Sequence, residues 1–124
     1  MIGHQIFYHL NLTDCFELYN SSFSHSLNRQ TILSDLTEHS SVELLIKELR
    51  PDLVINCSGL LIEDCEFNSK DAILLNAYLP NLLVALCNKF NSKLIQISTD
   101  CVFSGKNPPY SENSIKEGES IYSK

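Results

Sequence analysis

The sequence of 124 residues has no tryptophan, four glycines, four prolines and no excess of basic charge. Nine lysines and arginines stand against fifteen aspartates and glutamates, which gives a formal net charge of −6. Because nucleic acid phosphates are bound by a basic face, this balance argues against nucleic acid as the main partner. With 44% hydrophobic and 19% charged residues, the composition is that of a globular domain rather than a disordered or fibrous chain.

Long apolar runs are also lacking, since a membrane span needs about 18 consecutive apolar residues and none is present. The first twelve residues have no basic lead, and His, Gln and Asn interrupt their apolar pattern, which argues against a signal peptide. We therefore expect a cytoplasmic protein with no membrane partner.

Paired cysteine motifs are absent as well. The five cysteines are odd in number, irregularly spaced and without a Cys-x-x-Cys pair, at positions 15, 57, 65, 87 and 101. This usage is typical of reduced thiols that fill a core, not of a disulfide framework or a zinc site. The four histidines are scattered, and packing or surface positions explain them better than metal ligation does. We predict no metal site.

Apolar periodicity predicts three helices: residues 3–12, a helix capped by Ser40 or Ser41 that runs to Arg50, and residues 70–90. Pro80 is expected to bend or restart the third helix. Short strands are predicted at Phe16–Tyr19 and Thr31–Leu33, with a polar loop over 20–30 between them.

Two later segments, Leu53–Cys57 and Leu94–Ser98, are short and mostly apolar. Such runs indicate strands of a parallel sheet that are buried on both faces. Strands and helices that alternate with short connections predict an α/β fold with right-handed crossovers. The long stretch 105–118 is expected to be a loop, and loops of this length are usually either functional or disordered.

Small or polar residues follow three of these strands: Asp35-Leu36, Cys57-Ser58-Gly59 and Ser98-Thr99-Asp100. Ligands of doubly wound sheets collect at the carboxyl ends of the strands, so these residues are site candidates. Each group taken alone is better explained as an ordinary turn or strand end, and it is their occurrence after three separate strands that favours a site.

These segments carry a family resemblance. The motifs concerned are Arg50–Cys57, Leu75-Asn76-Ala77, Ser98-Thr99-Asp100-Cys101-Val102-Phe103-Ser104-Gly105, Pro109-Tyr110-Ser111-Glu112 and Tyr122. With them the chain resembles the dTDP-4-dehydrorhamnose reductase branch of the extended short-chain dehydrogenase/reductase superfamily. The resemblance implies a partial Rossmann-type doubly wound parallel sheet, and one partial NAD(P)-binding domain over residues 1–124.

The resemblance also implies a cofactor site. Met1, Ile2 and Gly3 would end the glycine-rich turn that faces the pyrophosphate. The other implied contacts are Asp35 and Leu36 beside the adenine, Gly59, Leu60 and Leu61 after a central strand, and Ile97 near the nicotinamide. No acid occupies residues 19–22, where enzymes that prefer NAD often place one, so NADP is slightly favoured over NAD.

For the chemistry, the resemblance implies that Thr99 binds the reacting sugar oxygen with Asp100 nearby, and that Tyr122 donates the proton. A tyrosine phenol has an ordinary pKa of about 10, and in this superfamily a lysine four residues later favours its ionised form. Lys124 follows Tyr122 by two residues and therefore faces another side of a helix, which makes a solvated charge the simpler interpretation. Without this context, Tyr122 would be an ordinary aromatic residue at a helix start.

The family's first strand, the first two glycines of its phosphate turn and its C-terminal substrate lobe have no counterpart in these 124 residues. We expect a gap in the sheet where that first strand would lie, with unpaired backbone groups on both sides. We also expect the isolated chain to be inactive and not to bind NADPH tightly.

The predicted function is that of a fragment of an NAD(P)-dependent reductase that acts on a nucleotide-linked 4-keto-6-deoxy sugar in nucleotide-sugar or surface polysaccharide biosynthesis. The alternatives are a non-catalytic nucleotide-binding or regulatory subunit of the same fold, and an inactive truncated gene product. The expected partner is the nucleotide-sugar, and a homodimer of the full-length parent is compatible with the resemblance. The sugar and its nucleotide stay open.

Overall fold

The computed structural model describes residues 2–123 and has the elements of an α/β domain. The five α-helices are α1 (Ile2–Asn11), α2 (His39–Leu49), α3 (Ile62–Phe67), α4 (Ser69–Ala72) and α5 (Leu79–Phe90). The four strands are β1 (Asn20–Ser22), β2 (Thr31–Leu33), β3 (Leu53–Asn56) and β4 (Lys93–Gln96). A π-helical segment (Ile73–Tyr78) joins α4 to α5, and two 3₁₀ turns follow β4, the first at Asp100–Val102 and the second at Ile121–Ser123.

The four strands form two separate parallel pairs. β1 pairs with β2, and β3 pairs with β4 in the register Leu53↔Lys93 to Asn56↔Gln96. Within residues 2–123 no ladder joins the two pairs, which agrees with the predicted gap in the sheet. The parallel α/β class predicted from the sequence is confirmed.

The core lies between α2, α5 and one face of the β3–β4 pair. Its buried members are Val42 and Ile46 from α2 and Leu79, Leu82, Leu83 and Leu86 from α5. Val54 and Leu94, which are neighbours in the register, pack against this cluster from the sheet.

The prediction that β3 and β4 are buried on both faces is wrong. Ile55 and Ile95 are paired on the face opposite to the core, and Ile95 is 47% exposed. Successive side chains of a strand point to opposite faces, so α2 and α5 can bury only alternate residues. An apolar run therefore reports the capacity of a strand to be buried, while the layers around it decide how much burial occurs.

The prediction of a strand at Phe16–Tyr19 is also wrong. The strand β1 begins at Asn20, directly after the predicted strand ends and inside the predicted loop. Phe16 and Tyr19 are exposed. β1 is fixed instead by its partner, since Asn20 Nδ2 donates to Thr31 Oγ1 at 3.1 Å across the ladder. Pairing partners outweigh the β-propensity of a single short segment.

The capping residue predicted for α2 is wrong too. Glu38 is the N-cap, without a side-chain hydrogen bond, and the helix begins at His39 instead of after Ser40 or Ser41. At the other end Arg50 adopts a left-handed conformation (φ 46°) and its N–H donates to the Ile46 carbonyl, directly before Pro51. The predicted end of this helix is thus confirmed to within one residue.

The segment Ser69–Phe90 forms one helical run, and the predicted restart at Pro80 is confirmed, since Pro80 lies in the first turn of α5. Proline has no N–H to donate to the carbonyl four residues earlier, and the π-helical segment comes directly before α5.

The helical run Ser69–Phe90, of 22 residues, has a mean hydropathy of 1.3 and is long and apolar enough, by length and composition, to cross a membrane. Core helices pass the same test, and α5 carries four members of the core cluster. The expected lack of a membrane partner stays a prediction.

Removal of an ion pair on the surface of α2 and α5 should give a pH-dependent loss of stability. Lys89 Nζ lies 2.8 Å from Glu43 Oε1, and this contact lowers the pKa of the Glu43 carboxyl. A lowered carboxyl pKa stabilises the fold above the unfolded-state pKa, and that contribution disappears as the pH falls through the folded-state value. We expect Lys89→Met to lower the Tm at neutral pH and to have little effect at acidic pH.

Thermal unfolding followed by circular dichroism over a pH series measures this effect. Lys70→Met on the exposed part of α4 removes the same charge and is the control. A loss of Tm in Lys89→Met that stays constant through the titration of the carboxyl would contradict the assignment to Glu43.

Candidate functional site

The carboxyl ends of β3 and β4 lie at the same edge, because the two strands are parallel and in register. Asn56, which is 5% exposed, joins these ends: its Nδ2 donates to Gln96 Oε1 at 2.8 Å, and its Oδ1 accepts from the Ser58 N–H at 3.1 Å. The Ile97 N–H donates to the Asn56 carbonyl at 3.0 Å and extends the pairing by one residue. The segments that carry Gly59 and Thr99 therefore leave the sheet side by side.

The first turn of α1 packs against the end of β3. A Cβ placed on Gly3 would lie 3.3 Å from the Cβ of Cys57, so glycine allows a close approach of the helix at this point. Burial raises the pKa of the Cys57 thiol, which keeps it neutral. The backbone N–H groups of a first helical turn have no partner within the helix, and such groups hold phosphate in dinucleotide sites. Gly3 thus lies in a first helical turn, and its contact with a pyrophosphate stays a prediction.

The loop after β3 is held by the side chain of Asn76. The Leu60 N–H donates to Asn76 Oδ1 at 2.8 Å, and Asn76 Nδ2 donates back to the Leu60 carbonyl at 3.0 Å. Gly59 is exposed and Leu60 is half-buried. Leu61, by contrast, is exposed and precedes α3 as its N-cap.

Thr99 and Tyr122 belong to segments that meet in the structure. Thr99 caps the first 3₁₀ turn, because its Oγ1 accepts from the Cys101 N–H at 3.2 Å. Tyr122 lies in the second 3₁₀ turn, which contacts the first turn and α3. In this cap the Thr99 hydroxyl acts as a hydrogen-bond acceptor, and a hydroxyl group can at the same time donate its proton to another acceptor.

Gly118 makes the approach of the two turns closer. Its N–H donates to the Val102 carbonyl at 3.0 Å, and a Cβ at this position would lie 2.7 Å from the Cys101 carbonyl oxygen. Contact of backbone with backbone at this distance leaves no room for a side chain. Local packing thus places the half-buried Tyr122 in a turn that contacts the turn Asp100–Val102, which follows β4.

The loop between the two turns is folded on itself. The rings of Phe103 and Tyr110 stack with centroids 4.5 Å apart, and Tyr110 Oη accepts from the Asn107 N–H at 3.0 Å. Lys106 Nζ lies 2.9 Å from Glu119 Oε1, which raises the pKa of Lys106. An open cavity of about 450 Å³ adjoins this stack and is lined in part by Asp100 and Ser104. The predicted loop is confirmed as lacking strands and helices over 105–118.

The remaining candidates lie in different surroundings. Asp35 Oδ1 accepts from the Thr37 N–H at 2.9 Å and from Thr37 Oγ1 at 2.7 Å, and these bonds lower the pKa of Asp35. Leu36 is half-buried and packs against the core cluster, while Ile2 is exposed and Ile97 is half-buried. Met1 lies outside the described residues. The cofactor and substrate roles of all these residues stay predictions.

No sequence pattern predicts a role for the side chains of Asn76 and Asn56. Leu75-Asn76-Ala77 was part of the resemblance, and a polar residue within an apolar helix was the signal that could have drawn attention to Asn76. Its partner, Leu60, lies sixteen residues earlier, so no local pattern reveals the contact. No three His, Cys, Asp or Glu side chains gather as a metal-binding group in the described part of the chain.

Comparison with curated proteins finds two kinds of relative. The chain is 36% identical over 91 residues to a probable dTDP-4,6-dihydroxy-2-methyloxan-3-one 4-ketoreductase of Streptomyces antibioticus, a match that covers 71% of this chain and 31% of that protein. It is 32% identical over 91 residues to methionine adenosyltransferase 2 subunit beta of Xenopus laevis, covering 73% of this chain and 27% of that protein. The match thus spans about a third or less of each relative's length.

Solved structures agree on the fold. A hypothetical dTDP-4-dehydrorhamnose reductase from Sulfolobus tokodaii superposes with a TM-score of 0.84 at 27% identity, over 95% of this chain and 43% of that one. The dTDP-4-dehydrorhamnose reductase of Bacillus anthracis in complex with NADP gives a TM-score of 0.68 at 28% identity, over 75% of this chain and 35% of that one. These neighbours confirm the predicted Rossmann-like architecture.

The profile of one protein family, described as the RmlD substrate binding domain, matches residues 12–124. The matched range includes all four strands, the loop held by Asn76 and the two turns that carry Thr99 and Tyr122. The chain therefore belongs to the RmlD substrate binding domain family, as part of a dTDP-4-dehydrorhamnose reductase-like protein.

Proposed function

We propose that this chain is the cofactor-binding part of an NADP-dependent reductase that acts on a nucleotide-linked 4-keto-6-deoxy sugar. One observation carries the proposal: the turn capped by Thr99 and the turn that contains Tyr122 are in contact, beside the strand end that faces the first turn of α1. A hydroxyl and a phenol are thus brought to the edge of the sheet where a dinucleotide of this fold binds. The same family's sugar-nucleotide reductases support the substrate class.

The residues present fit a nicotinamide dinucleotide. Gly3 lets the first turn of α1 approach Cys57 closely, and the backbone N–H groups of this turn would hold the pyrophosphate. No carboxylate follows Tyr19 in β1, so a ribose 2′-phosphate would meet little repulsion there. Arg29, in the loop between β1 and β2, adds a positive charge that favours NADP over NAD. The bound dinucleotide would supply the hydride.

The chain's own part in the chemistry is the proton. The Thr99 O–H would donate a hydrogen bond to the carbonyl oxygen of the sugar and so orient it. As hydride adds to the carbonyl carbon, the negative charge that develops on the oxygen is neutralised by the proton of the Tyr122 phenol, which leaves a phenolate. Asp100 is the first residue of the turn that Thr99 caps, and its carboxylate would contribute to binding of the sugar hydroxyls.

A second candidate is a subunit that keeps the nucleotide fold without turnover. The relative named methionine adenosyltransferase 2 subunit beta favours it, because it matches the chain over a similar range with comparable identity. Both candidates predict nucleotide binding at Gly3 and Gly59, and only the reductase predicts a role for Tyr122 in turnover. In either case we propose a cytoplasmic protein, as for a biosynthetic enzyme.

The test is carried out on the full polypeptide that the gene encodes. Calorimetric titration with NADPH and with NADH is followed by an assay with a dTDP-4-keto-6-deoxy sugar, monitored by the loss of nicotinamide absorbance. We expect tighter binding of NADPH than of NADH, together with turnover. Nucleotide binding without turnover would favour the subunit over the reductase, and the absence of both would overturn the two candidates.

A further inference from the structure

Asn76 lies at an unusual place in its helix. It belongs to the π-helical segment, within a run of 22 helical residues whose α5 part contributes four leucines to the core. Single π turns in α-helices are often found at functional sites. The half-buried Asn76 side chain is directed at the loop after β3 and not at its own helix.

The contact of Asn76 with this loop fixes the backbone of one residue, Leu60, on both sides of its Cα. The Leu60 N–H and C=O both bond to the Asn76 amide, at 2.8 and 3.0 Å. The fully buried Cys65 adds a third contact, since its Sγ lies 3.5 Å from the Leu60 carbonyl oxygen and 3.5 Å from Asn76 Nδ2. A loop residue with both backbone groups bonded to one side chain has little freedom to rotate.

Gly59 is the counterpart of this arrangement. A Cβ placed on it would lie 2.9 Å from Asn76 Oδ1, closer than a carbon and an oxygen approach without displacement. The glycine thus gives the amide access to the Leu60 backbone. The loop stays accessible to a ligand, because Gly59 and Leu61 on either side of Leu60 are exposed.

We infer that Asn76 is a positioning residue. Through its hydrogen bonds to the Leu60 N–H and carbonyl, it holds the Gly59–Leu60 backbone in the conformation that receives the nucleotide. The inference rests on the proposed function, in which this loop lines the cofactor. A backbone held before binding loses less conformational entropy on association, so the Asn76 amide raises nucleotide affinity without touching the nucleotide.

Three variants of the full polypeptide test the inference. Asn76→Asp keeps an acceptor for the Leu60 N–H but puts a carboxylate oxygen against the Leu60 carbonyl. Asn76→Ala removes both bonds. Asn81→Asp is the matched control, because Asn81 is exposed on the next turn and its Nδ2 donates to the Ala77 carbonyl of its own helix at 2.8 Å.

We expect both Asn76 variants to weaken NADPH binding by about 3- to 10-fold, the size associated with the loss of one hydrogen bond, at temperatures where each protein is fully folded. The amide hydrogen of Leu60 should exchange faster in Asn76→Ala, and Asn81→Asp should change neither quantity. The affinity of Asn76→Asp relative to the wild type should recover as the pH falls, since a protonated carboxyl can again donate to the Leu60 carbonyl. Burial raises the pKa of Cys65, and the neighbouring carboxylates of Asp64 and Glu66 on α3 raise it further. These carboxylates are present in the wild type and in every variant, so they do not account for a difference between them.

Gly59→Ala provides an independent arm. Its methyl group should displace the amide and weaken NADPH binding, and it should weaken binding less in the Asn76→Ala background, where the opposing oxygen is gone. Unchanged affinity in Asn76→Ala with faster exchange of Leu60 would overturn the positioning role, and unchanged exchange would overturn the contact itself. A wild-type protein that binds no NADPH would overturn the proposed function, while the exchange of Leu60 would still decide whether Asn76 holds the loop.

Discussion

Replacement of Tyr122 by phenylalanine is expected to lower kcat by about 10²- to 10⁴-fold, the contribution usual for a positioned proton donor. The variant keeps the ring and loses the phenolic proton, so the second 3₁₀ turn should still pack on α3 and on the turn after Thr99. The affinity for NADPH should stay unchanged, because the phenol acts on the sugar carbonyl. Steady-state assays with the full polypeptide give kcat, and calorimetry gives the affinity.

Tyr110→Phe is the matched control for this prediction. Tyr110 lies in the long loop between the two turns, stacks on Phe103 and uses its hydroxyl to accept from the Asn107 N–H, and it has no part in the proposed proton transfer. We expect its kcat to stay within a few-fold of the wild type. An equal loss of kcat in both variants would indicate that the loop's fold, and not the Tyr122 proton, limits the reaction.

Truncation of Leu79 to alanine is expected to lower the free energy of unfolding by about 2–5 kcal/mol, the range measured for leucines in packed cores. Leu79 is 1% exposed and lies in the cluster that joins α5 to α2 and to one face of β3 and β4. Domains of this size are commonly stable by only about 5–15 kcal/mol, so the variant would lose a large share of its stability. Urea unfolding followed by circular dichroism measures the change.

Leu44→Ala removes the same atoms from the exposed side of α2, where Leu44 is 57% exposed. A change of about 0.5 kcal/mol or less is expected there. If both substitutions cost the same, the core is not organised around α5 as the structure has it, and the placement of the strand ends by that core would lose its support.

The parts of the fold that were predictable from the sequence are those with strong local signals. The apolar period of α2, the stop at Pro51 and the mostly apolar runs at β3 and β4 each define an element within one or two residues. β1 was misplaced, because a strand of three residues is defined by its ladder to β2 and not by its own side chains. The exposure of Ile95 was not predictable either, because the burial of a strand depends on the layers that pack against it and not on its own side chains.

The candidate site divides in the same way. Thr99 and Tyr122 could be selected because the motif around Thr99 and its spacing to the tyrosine are sequence properties. That their two turns are in contact depends on Gly118 and on packing over a loop of almost twenty residues, which no periodicity encodes. Asn76 belongs to one of the sequence motifs, yet its hydrogen bonds to Leu60 form only because the fold brings these two residues together.

The sequence by itself determined the α/β class, the order of the main helices and strands, and the family, because hydrophobic period, chain breakers and short motifs are written along the chain. The tertiary structure alone decided that the strands form two separate pairs, that one face of β3 and β4 is buried, and that Asn76 reaches the loop after β3. The physical reason is that these features depend on contacts between residues distant in sequence, and such contacts are fixed only when α2 and α5 pack against the sheet.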